Sequence, residues 1–529
     1  MHSRGWILGG LLSMGQDTTD TSKSDINDCL RKSGVPIDEK GSVDWIRDAA
    51  AFNVRLPTYT PVAIAVPKTI SQIQGAVKCG GDLGLKVSPK AGGHSYTGGG
   101  FGGESGHLIV QLDRMTDVKL NNDTNIATVD PGTRLGHMAT EIYKQGNRSV
   151  SHGTCPRVGA SGHLVSGGYG MSSHTHGLAL DFVEGATVVL ANGSIVETSL
   201  KENPDLFWAM RGAGPNFGIV AQWRLRTFEA PRDLTWFRVI LGWNQSTAAG
   251  YLAAVEDYIK WRMPNALNFR IADYERGHPF AEGLYYGTEK QMKDDLAEFM
   301  AVSNGTLYAS EQVDWIDAIK HYAADNTLNA STAHVPVDFF EPGPSPPANT
   351  IKPFAKPDNF FAKSLTLDSL SGSVAEAFVD YWYGTALPVD RKWWFQIDAA
   401  GGVHSAYAHP DPKLGPTSFG HRDKTFIIQF YDAVATHLAY PEGGMSLLND
   451  WVSNMTKALD SESGDDKRWG AYANYPDPTL SRDDAQRLYF GDNLEKLQRL
   501  KLEYDPEERF YFPHSIAPWG KESSHELKL

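Results

Sequence analysis

Apolar and polar positions along this chain follow two periods, and the period changes part-way. Val62–Val66 is a short apolar run closed by Pro67, which reads as a strand. Ser71–Leu85 then carries helical spacing through Ile73, Ala76, Val77 and Leu83, with Gly84 near its end. Leu85–Val87 and Leu108–Leu112 read as further strands, and Leu135–Gln145 as a helix. Ala186–Val196 predicts a hairpin turning at Asn192-Gly193. Pro204-Asp205 opens a short helix, Leu206–Met210, that stops at Gly212, and Phe217–Thr227 is another strand.

After Pro231 the strands look antiparallel: Phe237–Leu241, Asn268–Ile271, Trp393–Ile397 and Thr425–Tyr431. Helical spacing lies between them near Ala248–Arg262, Lys290–Val302 and Val374–Trp382. A proline-rich loop, Pro342–Pro357, interrupts this part, and a last helix is expected at Asn493–Leu502. These signals predict an α+β protein of two domains. The first runs over 25–230, the second over 231–440, and 441–529 returns to the first.

Composition narrows the function classes. The 529 residues are 41% hydrophobic and 21% charged, ordinary for a globular chain. A net charge of −14 without a long Lys/Arg cluster argues against nucleic acid or an anionic membrane as partner. No segment reaches the ~20 apolar residues that span a bilayer. Arg4 followed by Gly5–Leu12 has the shape of a short signal peptide. Seven asparagines (Asn122, Asn147, Asn192, Asn244, Asn304, Asn329, Asn454) open Asn-x-Ser/Thr triplets, which fits a secreted protein. Three cysteines leave at least one outside any internal disulfide. On residues alone, a Cys29–Cys79 pair and three reduced thiols both stand.

The candidate chemistry starts at two glycine-rich frames, Ala91-Gly92-Gly93-His94-Ser95-Tyr96 and Gly153-Thr154-Cys155-Pro156-Arg157-Val158-Gly159. Glycines let a backbone approach a flat cofactor and its pyrophosphate. A ring nitrogen and a thiolate are well suited to bonding the isoalloxazine ring of a flavin. The glycine loop does not match GxGxxG, so a Rossmann nicotinamide site is not indicated. Downstream, Trp394, Gln396 and Asp398 alternate on one strand and so share a face. His174-Thr175-His176 near His163 and His152 invites a metal reading, but no carboxylate or thiolate completes a ligand set, and no metal is expected.

These motifs, with GGYG, HTHGLALD, LFWAMRG and the distant Asn474-Tyr475-Pro476-Asp477, resemble the berberine-bridge-like flavin oxidases of the vanillyl-alcohol-oxidase fold. Within them the chain is most similar to the fungal oligosaccharide oxidases, from about Cys29 to about Ile516. The resemblance implies FAD bound covalently at both His94 and Cys155, and a Cys29–Cys79 disulfide. Gly92, Gly93, Ser95, Gly159, Gly162, His163, Gly168, Tyr169, Gly170, Val220, Tyr472 and Asn474 are then expected along the cofactor. Tyr475 matches the family's catalytic base and Asp398 the carboxylate behind it. A phenol with pKa ~10 needs such an onward acceptor at neutral pH. Trp394 would stack on a sugar ring, Gln396 read its hydroxyls, and Tyr96 line the cavity.

The implied activity is oxidation of a reducing oligosaccharide at C1 to the lactone, with O2 reduced to H2O2, by a secreted monomer. The same scaffold working on a secondary-metabolite alcohol, or keeping FAD in a non-catalytic sugar-binding protein, are the rival readings. Glucooligosaccharide oxidases carry a glutamate and a tyrosine where this chain aligns Ala272 and Ala324, with Asp273 or Tyr322 as nearby substitutes.

Overall fold

The computed structural model describes residues 18–274, 277–323, 328, 357–463 and 469–521. The predicted alternation near the N-terminus becomes a three-stranded parallel sheet, with Leu108–Gln111 between Ala63–Ala65 and Val87–Lys90. The crossover helix Ile70–Asp82 starts at Thr69, whose side chain accepts a hydrogen bond from the Gln72 N–H. It buries Ile73, Ala76, Val77 and Cys79 against the sheet. Gly80 is required here, because a Cβ would sit 2.5 Å from Val87 Cγ2. Cys79 is bonded to Cys29, tying the helix Thr18–Lys32 to the crossover helix.

A second sheet has five antiparallel strands, in the order Val118–Asn121, Ile126–Val129, Gly218–Arg226, Val183–Leu190, Ile195–Ser199. Its last two strands form the hairpin expected around Asn192-Gly193, with Gly193 at φ +77°. The chain returns to this region at its end. Lys501 donates to the Asn216 carbonyl at 2.7 Å, and Phe510 packs into the core beside Val110.

The third sheet dominates the middle of the chain. Its order is Gly305–Val313, Leu234–Leu241, Phe280–Tyr285, Leu267–Tyr274, Lys392–Ala399, Phe426–Val434, Asn359–Leu367, Trp469–Gly470. The helices Ala248–Trp261, Glu289–Val302, Gly372–Tyr381 and Ser446–Ser463 cover one face. Their core takes Phe237, Phe269, Trp393, Phe395, Ile397 and Phe430. Alternation along Lys392–Ala399 therefore sends Trp393, Phe395 and Ile397 under the helices. Trp394, Gln396 and Asp398 go to the other face.

Several elements carry no readable period. Phe280–Tyr285 is buried on both faces, which removes the polar alternation of a half-exposed strand. Gly305–Val313 is an edge strand with no buried residue, and its apolar and polar side chains do not alternate. Both pair with Leu234–Leu241. Of the expected Pro342–Pro357 loop, all but Pro357 lies outside the described residues, as does Ala324.

Candidate active site

Between the large sheet and the two smaller ones lies a cavity of about 1490 Å³. Both glycine frames wall it. Gly92 and Gly159 pack back to back, and a Cβ on either would lie 2.3 Å from the other's backbone nitrogen. Gly93 takes φ +70°, and Arg134 ties the turn by donating to the Gly92 carbonyl at 3.1 Å. Ser95 Oγ accepts from the Gly99 N–H at 3.0 Å. His94 rests on Phe52 with ring centroids 4.3 Å apart, and its buried Nε2 has no hydrogen-bond partner. Burial, then the charges of Arg134 and Arg157, push its pKa down to about 3, so the ring is a neutral base. Cys155 is outside the disulfide, exposed, and on the cavity wall.

The rest of this wall is backbone and a few fixed polar groups. Gly162 faces open cavity, with nothing within 4 Å of an added Cβ. His163, held neutral by burial with a pKa near 3, accepts from the Gly153 N–H at 2.8 Å. Asn474 donates to the His163 carbonyl at 3.1 Å and to the Tyr472 hydroxyl at 3.0 Å. Tyr169, Gly170, Val220, Tyr472 and Asn474 line the cavity. Gly168 is not among the lining residues: its N–H donates to the Tyr472 hydroxyl at 2.8 Å, and Ala179 packs behind it.

Facing that wall is the face of the large sheet turned away from those four helices. Register places Asp398 opposite Arg270, Gln396 opposite Ala272, and Trp394 opposite Tyr274. Gln396 donates to Asp398 Oδ2 at 3.1 Å and accepts from Arg270 Nη1 at 3.0 Å. Glu282 holds the guanidinium through Arg270 Nε at 2.9 Å. Burial is the main force raising the Asp398 pKa to about 7, against the pull of Arg270 and the Gln396 hydrogen bond. Trp394 stacks on Tyr431 at 4.8 Å and meets Tyr274 edge-on at 6.3 Å.

Tyr475 enters from a turn at the end of the chain. Its N–H donates to the Tyr472 carbonyl at 2.8 Å, and Ser364 Oγ donates to its carbonyl at 3.3 Å. Asp477, two residues on, pairs with Lys363 beside Ser364. The phenol lies parallel to Tyr96 at 6.1 Å and edge-on to Tyr472 at 5.0 Å. Burial, then the charge of Asp398, holds its pKa well above the ordinary phenol value. Tyr96 accepts from Gln429 Nε2 at 3.0 Å.

Sequence reasoning missed Arg270, Gln429, Tyr274 and Arg134, all but the last lining residues. The available signal for Arg270 was a lone cation in the apolar strand Asn268–Ile271. Asp273 turns away from the cavity, accepting from Trp382 Nε1 at 3.0 Å and Gly277 N–H at 2.9 Å. Tyr322 lines the cavity, but its hydroxyl is spent on the Gly283 carbonyl at 2.6 Å. His174 packs against Asn265, and His176 stacks on Phe228 at 4.1 Å. Among the described residues there is no group of three or more His, Cys, Asp or Glu placed to hold a metal.

Residues 61–199 match a family model described as an FAD binding domain, and 471–517 one described as berberine and berberine like. The chain is 46% identical to a carbohydrate oxidase of Microdochium nivale, over 98% of this chain and 100% of that one. The chain belongs to the berberine-like FAD-linked oxidoreductases. It shares the fold of these flavoprotein oxidases, and the Microdochium structure superposes with TM-score 0.86 at 45% identity, covering 93% and 99% of the two chains. A xylooligosaccharide oxidase of Thermothelomyces thermophilus is 42% identical over 93% and 94%. The glucooligosaccharide oxidase of Acremonium strictum (TM-score 0.85, 39% identity, covering 93% and 99%) carries a 6-S-cysteinyl, 8α-N1-histidyl FAD.

FAD is thus this oxidoreductase's cofactor, and the wall fits it. The open face at Gly162, the unpartnered Nε2 of a neutral His94 and the exposed Cys155 thiol suit a flat, anionic group with two attachable ring positions.

Proposed function

We propose that this chain oxidises the anomeric C1 hydroxyl of a reducing oligosaccharide to the lactone, with O2 reduced to H2O2. The observation that carries it is the facing of Tyr475 and the Trp394–Gln396–Asp398 strand across one cavity, opposite His94 and Cys155. The relatives named above as carbohydrate and oligosaccharide oxidases support the same reading.

FAD supplies the acceptor for the C1 hydride, and His94 and Cys155 are the residues that would bond it. The protein's own part is to seat the sugar and move a proton. Trp394 offers a flat face to the sugar ring, while Gln396 and Arg270 offer N–H donors to its hydroxyls. Tyr475 takes the C1-hydroxyl proton, and Asp398 accepts the phenolic proton in turn. Neither group works alone. A phenol raised well above 10 stays protonated at neutral pH and can take the sugar's proton only as it passes on its own, whereas a carboxyl near 7 is ionised enough there to accept it.

The protein acts as a secreted monomer in this reading. The six sequon asparagines within the described residues are all exposed, and the Cys29–Cys79 disulfide suits an oxidising compartment.

The test is peroxide release on cello-, malto-, xylo- and chito-oligosaccharides, each beside its borohydride-reduced alditol. Peroxide from the sugars and none from the alditols is expected. A yellow protein silent on the whole panel sinks the sugar reading in favour of a secondary-metabolite alcohol.

A further inference from the structure

The two frames on the cavity wall belong to separate segments, and one side chain joins them. Arg134 is 7% exposed. Its Nη1 donates to the Gly92 carbonyl at 3.1 Å, two residues before His94, and to the Arg157 carbonyl, two residues after Cys155. The backbone around it reinforces the second contact. Arg134 pairs with Gly159, and the Leu135 and Gly136 N–H groups donate to the Val158 and Pro156 carbonyls at 3.0 Å each. Segment 133–136 is thus clamped to the Cys155 frame by its backbone and to the His94 frame by the guanidinium.

Stability alone does not call for an arginine here. It stands just before the helix Leu135–Gly146, and its side chain does not cap that helix. Helix N-termini favour Ser, Thr, Asp or Asn, their dipole opposes a cation, and a buried charge is costly. Two carbonyls need N–H donors, which a neutral amide would supply. The charge meets several groups. Asp113 and Asp48 oppose it, Arg157 and Lys90 repel it, and Cys155 lies near enough to interact with it. Tyr96 also lies close to that sulfur, and Arg134 and Arg157 both act on His94. A guanidinium beside a thiol favours the thiolate, which is the nucleophilic form.

We propose that Arg134 is the positioning residue for flavin attachment, locking the His94 and Cys155 frames at one spacing and favouring the nucleophilic form of Cys155. It rests on the reading that these two residues bond the FAD. Each bond replaces a hydrogen of the ring system. A His94 ring nitrogen or the Cys155 sulfur gives up its proton as one flavin C–H bond breaks. The electron pair of that bond and two protons reduce O2, giving one H2O2 for each attachment.

The experiment isolates one tether. In a His94→Ala background only Cys155 can bond FAD, and FAD retained after acid precipitation is measured beside FAD bound before it. At pH 7 the His94→Ala/Arg134→Gln chain is expected to retain about fivefold less than His94→Ala. Incubation at pH 9, where the thiol ionises without help, should restore most of the loss. Arg134→Lys in the same background keeps the charge but offers one donor head to two carbonyls. It should attach FAD fully, but about threefold more slowly, when chain expressed under riboflavin starvation is given FAD.

Retention in the glutamine variant equal to that of its parent overturns the proposal. So does a loss that neither pH 9 nor lysine repairs, because that marks Arg134 as scaffold alone. If the glutamine variant does not fold, the lysine variant decides: attachment at the parent's rate, or FAD bound but never attached, overturns it. Release of all FAD from His94→Ala with Arg134 intact is a separate failure. It refutes the Cys155 bond itself, and the proposal with it.

Discussion

Gln396 donates to Asp398 Oδ2 at 3.1 Å through Nε2 while its carbonyl oxygen accepts from Arg270 at 3.0 Å. The amide thus bridges a buried cation and a carboxyl whose pKa burial raises and both the cation and the amide lower. The Asp398 pKa of about 7 is the outcome of that contest.

Oxidation should therefore depend on pH through Asp398. Because the proton acceptor is the ionised carboxylate, kcat/KM is expected to rise with pH through a limb near 7. Gln396→Leu removes a hydrogen bond that favours the anion, so the limb moves to higher pH. A profile flat from pH 5 to 9 in the wild type would contradict this assignment.

Stability should move the opposite way. The Asp398 pKa is higher folded than the ordinary 3.8, so the folded state binds the extra proton between pH 4 and 7. Its contribution is fully present below that window and is lost as pH rises through it. Asp398→Asn is expected to raise Tm at pH 8 relative to wild type, with little difference at pH 4. Activity in the same variant falls. Melting curves at both pH values decide the matter.

Tyr475→Phe should lower kcat by about 10²- to 10⁴-fold, the usual worth of a positioned acid or base. The turn is held by Ser364 and by the Lys363–Asp477 pair, so folding and sugar binding survive. A KM effect with unchanged kcat would assign the phenol to binding instead.

The flavin tethers are separable. After acid precipitation the wild type and both single variants, His94→Ala and Cys155→Ala, are expected to stay yellow. The double variant releases its FAD into the supernatant. Release from either single variant would leave only one true bond.

Losing the Cys29–Cys79 bond should cost about 4 kcal/mol, the loop-closure entropy of a crosslink over a separation of 50 residues. The bond lies in the N-terminal core, away from the cavity. Denaturant titration of Cys29→Ser/Cys79→Ser should show a lower midpoint with kcat unchanged.

The periodic elements are legible in the sequence because each sets an apolar row of side chains against a core or turns at a residue pair suited to the turn. Ile70–Asp82, the hairpin at Asn192-Gly193 and the strand Lys392–Ala399 all belong to this class. The strand's alternation puts Trp394, Gln396 and Asp398 on one side, and the glycine frames mark His94 and Cys155. Phe280–Tyr285 and Gly305–Val313 are not legible: one is buried on both faces and the other mixes apolar and polar residues without alternation.

Local sequence holds periodicity, turn chemistry and motif spacing, and from these came the fold class, the cofactor frames and the strand that carries Asp398. Partnership across the chain is another matter. That Arg270 stands opposite Asp398, that Asp273 turns to Trp382, and that Gly168 backs onto Ala179 all depend on strand register and sheet order. Register is settled by burying whole faces at once, a cooperative property of the packed molecule that no single segment contains.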